Sequence, residues 1–117
     1  MNNRVFCIFA ALLVLTGCVS DPAPTEQLRL TEQALLQARA VGATDLLVDM
    51  QLAEQKFALA QKNMPEQDYK RARLLAEQAE LDARLAEAQV LTSKSQEQLT
   101  DLNARITRLR QQLGDLQ

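Results

Sequence analysis

The sequence predicts an all-α protein, and three observations support that fold class. Aromatic residues make up 3% of the 117 residues and tryptophan is missing, whereas sandwiches and barrels need aromatic and β-branched side chains on their pleated faces. From Thr25 onward almost every residue is a good helix former. The apolar residues there recur at steps of three and four, which is the period of a helix. A chain of this length holds at most one small domain.

Residues 1–17 are predicted to be a signal peptide. Arg4 supplies a positive charge, and the 11 residues from Val5 to Leu15 are all apolar. A helix needs about 20 residues to cross a hydrocarbon core of ~30 Å, so this run is too short to span a membrane. A basic start, a short apolar run and small residues after it are typical of a secretory leader.

The leader ends in a tetrapeptide, Leu-Thr-Gly-Cys at residues 15–18, that resembles the bacterial lipobox. In proteins with that signal, a diacylglyceryl group joins the cysteine sulfur, the chain is cut before the cysteine, and the new N-terminus is acylated, for example with palmitate. The resemblance therefore implies cleavage between Gly17 and Cys18 and lipid on Cys18. Several buried acyl chains anchor a protein stably, at ~0.8 kcal/mol per buried methylene.

The residues after the cysteine bear on the destination of such a lipoprotein. By resemblance to the sorting rule of enteric bacteria, Val19 in place of aspartate implies the inner leaflet of the outer membrane, facing the periplasm. Asp21 leaves the inner membrane as an alternative destination, because the sorting rule of other Gram-negative groups depends on residues further from the cysteine. Residues 18–24 contain two prolines and no periodicity, so they are predicted to be the lipidated N-terminus and a linker.

Residues 25–91 are predicted to form an α-helical hairpin domain. An apolar stripe continues in phase through Gly42, which favours one long first arm, kinked at Gly42, in a long antiparallel helical hairpin or coiled coil. The alternative is a turn at Gly42, which produces a three-helix bundle with a protruding C-terminal helix. Asn63 suits the end of the first arm, and Pro65 suits the first turn of the second.

The second arm carries two apolar stripes in its first half, so it can pack on two neighbours, which favours either the three-helix bundle or self-association of hairpins. One stripe is rich in leucine: Leu74, Leu81, Leu85 and Ala88. The other is rich in alanine: Ala72, Ala76, Ala79, Ala83, Ala86 and Val90. Alanine permits a close approach of helix axes, near the short end of the usual ~8–10 Å.

Residues 92–117 are predicted to be a C-terminal coiled-coil helix. Six residues repeat there at steps of three and four and form what we call the tail seam: Leu99, Leu102, Ile106, Leu109, Leu113 and Leu116. In a parallel dimer Arg105 at heptad position g would face the partner's Arg110 at position e, so an antiparallel pairing or a partner with acidic flanks fits better. The alternative is that this helix packs on its own chain.

Three arginines, Arg105, Arg108 and Arg110, fall within six residues of an otherwise acidic chain. In a hairpin whose first arm starts at the membrane, the returning arm brings these arginines back to the level of Thr25, beside the lipid headgroups. The hairpin thus predicts a headgroup contact. The alternative is a solvated basic face.

The composition argues against catalysis, metal binding and nucleic-acid binding. The chain has no histidine, Cys7 leaves with the leader, and lipid consumes the sulfur of Cys18. The mature chain has a net charge of −3, from 12 basic and 15 acidic residues once Arg4 is removed, and such an acidic, aromatic-poor chain is a poor nucleic-acid binder. We therefore expect no enzyme activity, no metal, and no cofactor beyond the covalent diacylglycerol and N-acyl chain on Cys18.

Four segments resemble a known family: Ala-Val-Gly-Ala at residues 40–43, Asp-Tyr at 68–69, and alanine- and leucine-rich stretches at 73–79 and 82–86. They are similar to the domain of unknown function 4398, which occurs in small lipoproteins of Gram-negative bacteria, and the similarity covers about residues 30–90. Longer members add a peptidoglycan-binding domain. We expect no direct peptidoglycan-binding domain here, because the chain leaves no room for one.

These observations suggest a function that does not involve catalysis. We expect an outer-membrane-anchored periplasmic lipoprotein that acts as a non-enzymatic helical spacer or adaptor of the cell envelope, with a second copy or a helical protein as its partner. The alternative is an accessory regulator of a periplasmic enzyme or export machine.

Overall fold

The structure, a computed structural model, describes residues 21–115. These residues form three helices: α1 at Thr25–Val41, α2 at Val48–Asn63 and α3 at Tyr69–Gly114. No strand occurs in the described range, so the all-α fold class is confirmed. Of the two arrangements that the sequence left open, the chain adopts the three-helix bundle with a protruding C-terminal helix.

The end of α1 is set by Gly42, which has a left-handed backbone with a φ of 105°. The amide of Gly42 donates to the carbonyl of Arg39 and the amide of Ala43 donates to that of Ala38, both at 2.9 Å. These two hydrogen bonds form a Schellman motif, which satisfies the last carbonyls of a helix. The chain then reverses and α2 begins at Val48, so the expectation of one long arm kinked at Gly42 is wrong.

The apolar stripe that crosses Gly42 in phase is interrupted in the folded protein. Leu46 continues the stripe across the turn but is 90% exposed, whereas Leu35 before it and Met50 after it are buried. Helices α1 and α2 each turn an apolar face towards α3. The length of the loop between them lets the spacing of the apolar positions continue from one helix to the other along the sequence. Periodicity constrains a helix but not the loop after it, so the phase could not exclude a reversal.

Helix α1 runs parallel to α3. Near the start of α1, the guanidinium of Arg73 donates to the carbonyl of Pro22 at 3.4 Å. At its end, the ammonium group of Lys94 donates to the carbonyl of Val41 at 2.6 Å. Later residues of α1 therefore meet later residues of α3.

Helix α2 runs antiparallel to α3, and hence to α1. The side-chain amide of Gln89 donates to Asp49 at 2.7 Å, and the Lys56 ammonium forms an ion pair with Asp82 at 2.6 Å. The bundle is thus up, down and up. Its α2–α3 turn lies at the same end as the N-terminal segment, and its α1–α2 turn lies at the other.

The second turn ends α2 at Asn63, as predicted, but it begins α3 later than expected. Gln67 has a left-handed φ of 60°, and the amide of Asp68 donates to the carbonyl of Asn63 at 3.1 Å. The carboxylate of Asp68 then caps α3 by accepting from the amide of Arg71 at 3.2 Å. Because Asp68 is the cap, Pro65 lies in the turn, and its expected place in the first turn of α3 is wrong.

The core is built mainly from alanine, with Met50 as its largest fully buried apolar side chain. The fully buried alanines are Ala38, Ala53, Ala60, Ala72, Ala76, Ala79, Ala83 and Ala86. Thr31 is buried among them, and its hydroxyl oxygen lies 2.9 Å from the carbonyl oxygens of both Gln27 and Ala76. A hydroxyl has one proton to donate, so Thr31 satisfies itself either within α1 or across to α3.

Candidate interaction surface

Helix α3 has two opposite apolar faces. With Leu99 at heptad position a, the alanine stripe occupies positions b and f, and the leucine stripe occupies a and d. Both other helices pack on the alanine stripe. Leu74, Leu81 and Leu85 of the leucine stripe stay 53%, 66% and 47% exposed. Of the two stripes that the sequence offered for packing, the bundle covers the alanine stripe.

The tail seam is exposed throughout its described length. Its described members are between 38% and 65% exposed: Leu99, Leu102, Ile106, Leu109 and Leu113. Leu116 lies outside the described residues, as do Gly17 and Cys18 of the lipobox. Residues 91–115 are all exposed, so the alternative that this helix packs on its own chain is wrong for the part of it that the structure describes.

The exposed face continues from the tail onto the bundle. Counting back from Leu99 at steps of four and three reaches Ser95, Thr92 and Ala88, and then Leu85 of the leucine stripe. Because α3 runs unbroken from Tyr69 to Gly114, all these positions lie on one side of one helix. We call the a and d positions of α3 from Leu81 to Leu113 the extended seam.

The extended seam is long enough for a coiled coil, which the tail seam alone is not. It spans about four and a half heptads, and three to four are the usual minimum for a convincing coiled-coil pattern. Sequence reasoning had placed Leu81 and Leu85 on a stripe that packs on a neighbour, either within a three-helix bundle or between self-associated hairpins, and had not joined that stripe to the tail seam. The a and d spacing continues without a break from Leu85 through Ala88, Thr92 and Ser95 to the tail seam. Because these three residues are small or polar, the apolar pattern is weak there.

Small residues make the middle of the extended seam a shallow groove. The groove is lined by Leu85, Ala88, Gln89, Thr92, Ser93 and Gln96. Longer side chains flank it, since leucine occupies the seam both before Ala88 and after Ser95. A helix that presents large apolar side chains at matching positions would fill it.

The tail arginines lie at the end of the molecule opposite to Asp21. Asp21 lies beside Tyr69 and Lys70 at the start of α3, and α3 runs on for 46 residues, about 69 Å at ~1.5 Å per residue. The geometry that was to return the arginines to the level of Thr25 is therefore wrong, because α1 runs parallel to α3.

The three arginines face solvent in the described structure. Arg105 forms an ion pair with Asp101 at 2.8 Å, as its spacing of four predicts. Arg108 and Arg110 are exposed. Contact of these residues with lipid headgroups stays a prediction, now without the hairpin geometry that motivated it.

Glu80 links α1 to α3 on the covered side of the molecule. Its carboxylate accepts from the guanidinium of Arg84 at 2.5 Å and from the side-chain amide of Gln27 at 2.7 Å. The hydrogen bond from Arg84, and then that from Gln27, hold the pKa of Glu80 below its usual value, because both favour the charged form. The side chain is 17% exposed, and its partners identify it as a structural group.

The described residues offer little for metal chemistry or membrane crossing. Within residues 21–115 no group of three or more histidine, cysteine, aspartate or glutamate side chains is placed to hold a metal ion. Nor does any helix in this range have the length and apolar character needed to span a bilayer.

Comparison with known proteins places the chain in a family. Residues 26–102 match the family described as Domain of unknown function (DUF4398). The chain belongs to the DUF4398 family. It is also similar to a DUF4398 family protein from Pseudomonas aeruginosa PAO1 with a crystal structure at 2.47 Å: the two are 61% identical, the TM-score is 0.79, and the match covers 82% of this chain and 100% of the other. No curated protein matches the sequence.

The family assignment confirms the resemblance drawn from residues 40–43, 68–69, 73–79 and 82–86. The matched range begins near the start of α1 and ends at Leu102, so it contains the whole bundle and the first residues of the tail seam. The expected similarity over about residues 30–90 was therefore shorter than the observed one.

Proposed function

We propose that this protein is a lipoprotein anchored to the outer membrane, and that it acts in the periplasm as a non-enzymatic helical spacer and adaptor. The observation that carries the proposal is the extended seam, an apolar face that stays exposed along α3 from the bundle to the tail. Large contiguous apolar surfaces on a folded protein mark sites of interaction. A helix with such a face binds partners through packing, for which no catalytic group is needed.

The position of the N-terminal segment supports the anchoring part of the proposal. Asp21 lies at the start of α3 and follows Cys18 by three residues, which extend ~10 Å at most. Lipid on Cys18 would therefore hold this end of the bundle close to the headgroups. The tail begins at the opposite end of the bundle, so the rod separates the anchor from the tail seam.

Labelling with radioactive palmitate in a Gram-negative host tests the anchor. The unchanged chain and a Cys7→Ser variant should both incorporate label, because Cys7 leaves with the leader. A Cys18→Ser variant should incorporate none and should keep its leader. Label on Cys18→Ser, or no label on the unchanged chain, would contradict the anchor.

Density-gradient separation of the two membranes tests the destination. In an enteric host the unchanged chain should sediment with the outer membrane, and Val19→Asp should move it to the inner membrane. An unchanged chain found in the inner membrane would contradict the outer-membrane part of the proposal.

The alternative function is regulation of a partner. If the extended seam bound a periplasmic enzyme or an export component in an amount equal to that of this protein, regulation would replace the spacer role.

A further inference from the structure

We propose that the extended seam binds a second copy of this chain in antiparallel orientation, with each tail lying on the bundle half of its partner's α3. The pairing goes beyond the proposed function and does not need the lipid. One consequence of the pairing, the position of the anchors, does rest on the proposed lipid anchor.

Side-chain size selects the antiparallel orientation and its register. The seam has leucine or isoleucine at both ends and the small residues Ala88, Thr92 and Ser95 in its middle. An antiparallel pair can place each small residue against a large one, which fills the groove at native density. The layers are then Ala88 with the partner's Ile106, Thr92 with the partner's Leu102, and Ser95 with the partner's Leu99. A parallel pair in register would place each small residue against itself and leave the middle poorly filled.

Charge selects the same orientation. In a parallel pair Arg105 would face the partner's Arg110, which is unfavourable. In the antiparallel register Arg110 faces the partner's Asp82, whose carboxylate already binds Lys56. Arg105 lies over the partner's Leu91, which is 46% exposed in the single chain. The aliphatic stem of an arginine covers such a leucine while its charged head stays in water.

The shape of the molecule leaves room for this pair. The bundle packs on the b/f side of α3, opposite to the extended seam, so it does not block the seam. Contacts with the bundle extend along α3 as far as Lys94, and in this register Lys94 is level with the partner's Thr100. The two bundles therefore lie at opposite ends of the pair, and each bare tail covers Leu81 and Leu85 of the other bundle.

The pairing fixes where two anchors would lie. The anchored end of each copy is near Tyr69, and in this register the two ends are about 80 Å apart along the helix axis at ~1.5 Å per residue. Two copies with lipid on Cys18 in one leaflet would thus lie along the membrane as a bar that is tethered at both ends.

Disulfide trapping in the full chain tests the pairing. Thr92→Cys and Leu102→Cys are co-expressed in the periplasm with tags of different size, and oxidised samples are separated without reductant. We expect a mixed disulfide between the two variants, because Thr92 faces the partner's Leu102. Glu97→Cys, at position f on the opposite side of α3, is the matched control and should give no dimer.

Three outcomes of this experiment overturn the proposal. A disulfide between two copies of Thr92→Cys would indicate a parallel pair, a disulfide to another protein would indicate a different partner, and monomers throughout would indicate no pair. The unchanged chain is run beside them. A dimer there would come from an unlipidated Cys18, so it would report failure of the anchor and not of the pairing.

A second variant keeps the test independent of cysteine chemistry. Leu109→Asp, added to both cysteine variants, places a charge in the seam and should reduce the mixed disulfide by about a hundredfold or more. Thr107→Asp adds the same charge two residues earlier at position b, outside the seam, and should leave the disulfide unchanged. Equal loss with both variants would contradict the seam as the binding face.

Discussion

The two halves of α3 form one continuous helix but pack in opposite ways. In the bundle half, positions b and f carry small apolar residues such as Ala83 and Ala86, and both other helices cover them. In the tail half, the same positions carry polar residues such as Ser93, Glu97 and Thr100, which are exposed. The a and d positions from Leu81 to Leu113 are exposed in both halves. The bundle therefore ends where the b/f face stops being apolar, although the helix does not.

The largest expected effect follows from enlarging an alanine on the b/f face. Ala83→Leu adds three carbon atoms at a fully buried position, and overpacking of this kind costs about 1–3 kcal/mol. The Tm should fall by roughly 4–8 °C for each kcal/mol in a bundle of this size. Circular dichroism on the chain from Val19 to Gln117, which contains all three helices, measures the shift.

Ala104→Leu is the matched control, because Ala104 also occupies position f, three heptads further along α3. It is exposed, so the same substitution should change the free energy of unfolding by less than about 0.5 kcal/mol. Similar losses at Ala83 and Ala104 would mean that the tail half is packed as tightly as the bundle half.

The two turns provide a second pair of variants with opposite signs. Gly42→Ala should lower the free energy of unfolding by about 1–2 kcal/mol, because an L-residue is strained at a φ of 105°. Gln67→Gly should raise it by about 1 kcal/mol, because glycine relieves the same strain at a φ of 60°. Urea unfolding measures both. If Gly42→Ala raised the free energy of unfolding, the result would support one long, continuous first arm and contradict the turn at Gly42.

The smallest expected effect concerns pH and the contact of Glu80 with α1. Since the pKa of Glu80 is lowered in the folded chain, its carboxylate contributes stability above its unfolded pKa of ~4.3. This contribution is lost as the pH falls through the lower folded pKa. The Tm difference between the unchanged chain and Glu80→Gln should therefore be largest at neutral pH and shrink below about pH 4. A difference that is constant from pH 7 to pH 3 would contradict this.

Local signals predicted the elements well. The good helix formers from Thr25 onward predicted helical segments, and Asn63 predicted the end of α2. The tail seam was also visible, because its leucines are uninterrupted. The extended seam was harder to see, since Ala88, Thr92 and Ser95 in its middle do not stand out as apolar.

The direction of the chain after Gly42 was not predictable from periodicity. A stripe that continues in phase is compatible with a straight arm and with a reversal, and the two differ only in the backbone of a few loop residues. The direction of the chain after Gly42 also decides whether the C-terminal end of α3 lies near Asp21 or far from it. The headgroup prediction for Arg105, Arg108 and Arg110 followed from the wrong choice.

By itself, the amino-acid sequence determined the helical class, the end of α2 at Asn63, the lipobox resemblance and the heptad phase of α3. These depend on neighbours within four residues or on short motifs, so they can be read along the chain. The tertiary structure alone decided that α1 runs parallel to α3, and that the bundle covers the alanine stripe and leaves the leucine stripe exposed. The physical reason is that alanine lets two helices approach α3 closely on one side, and the left-handed turn at Gly42 brings both of them there.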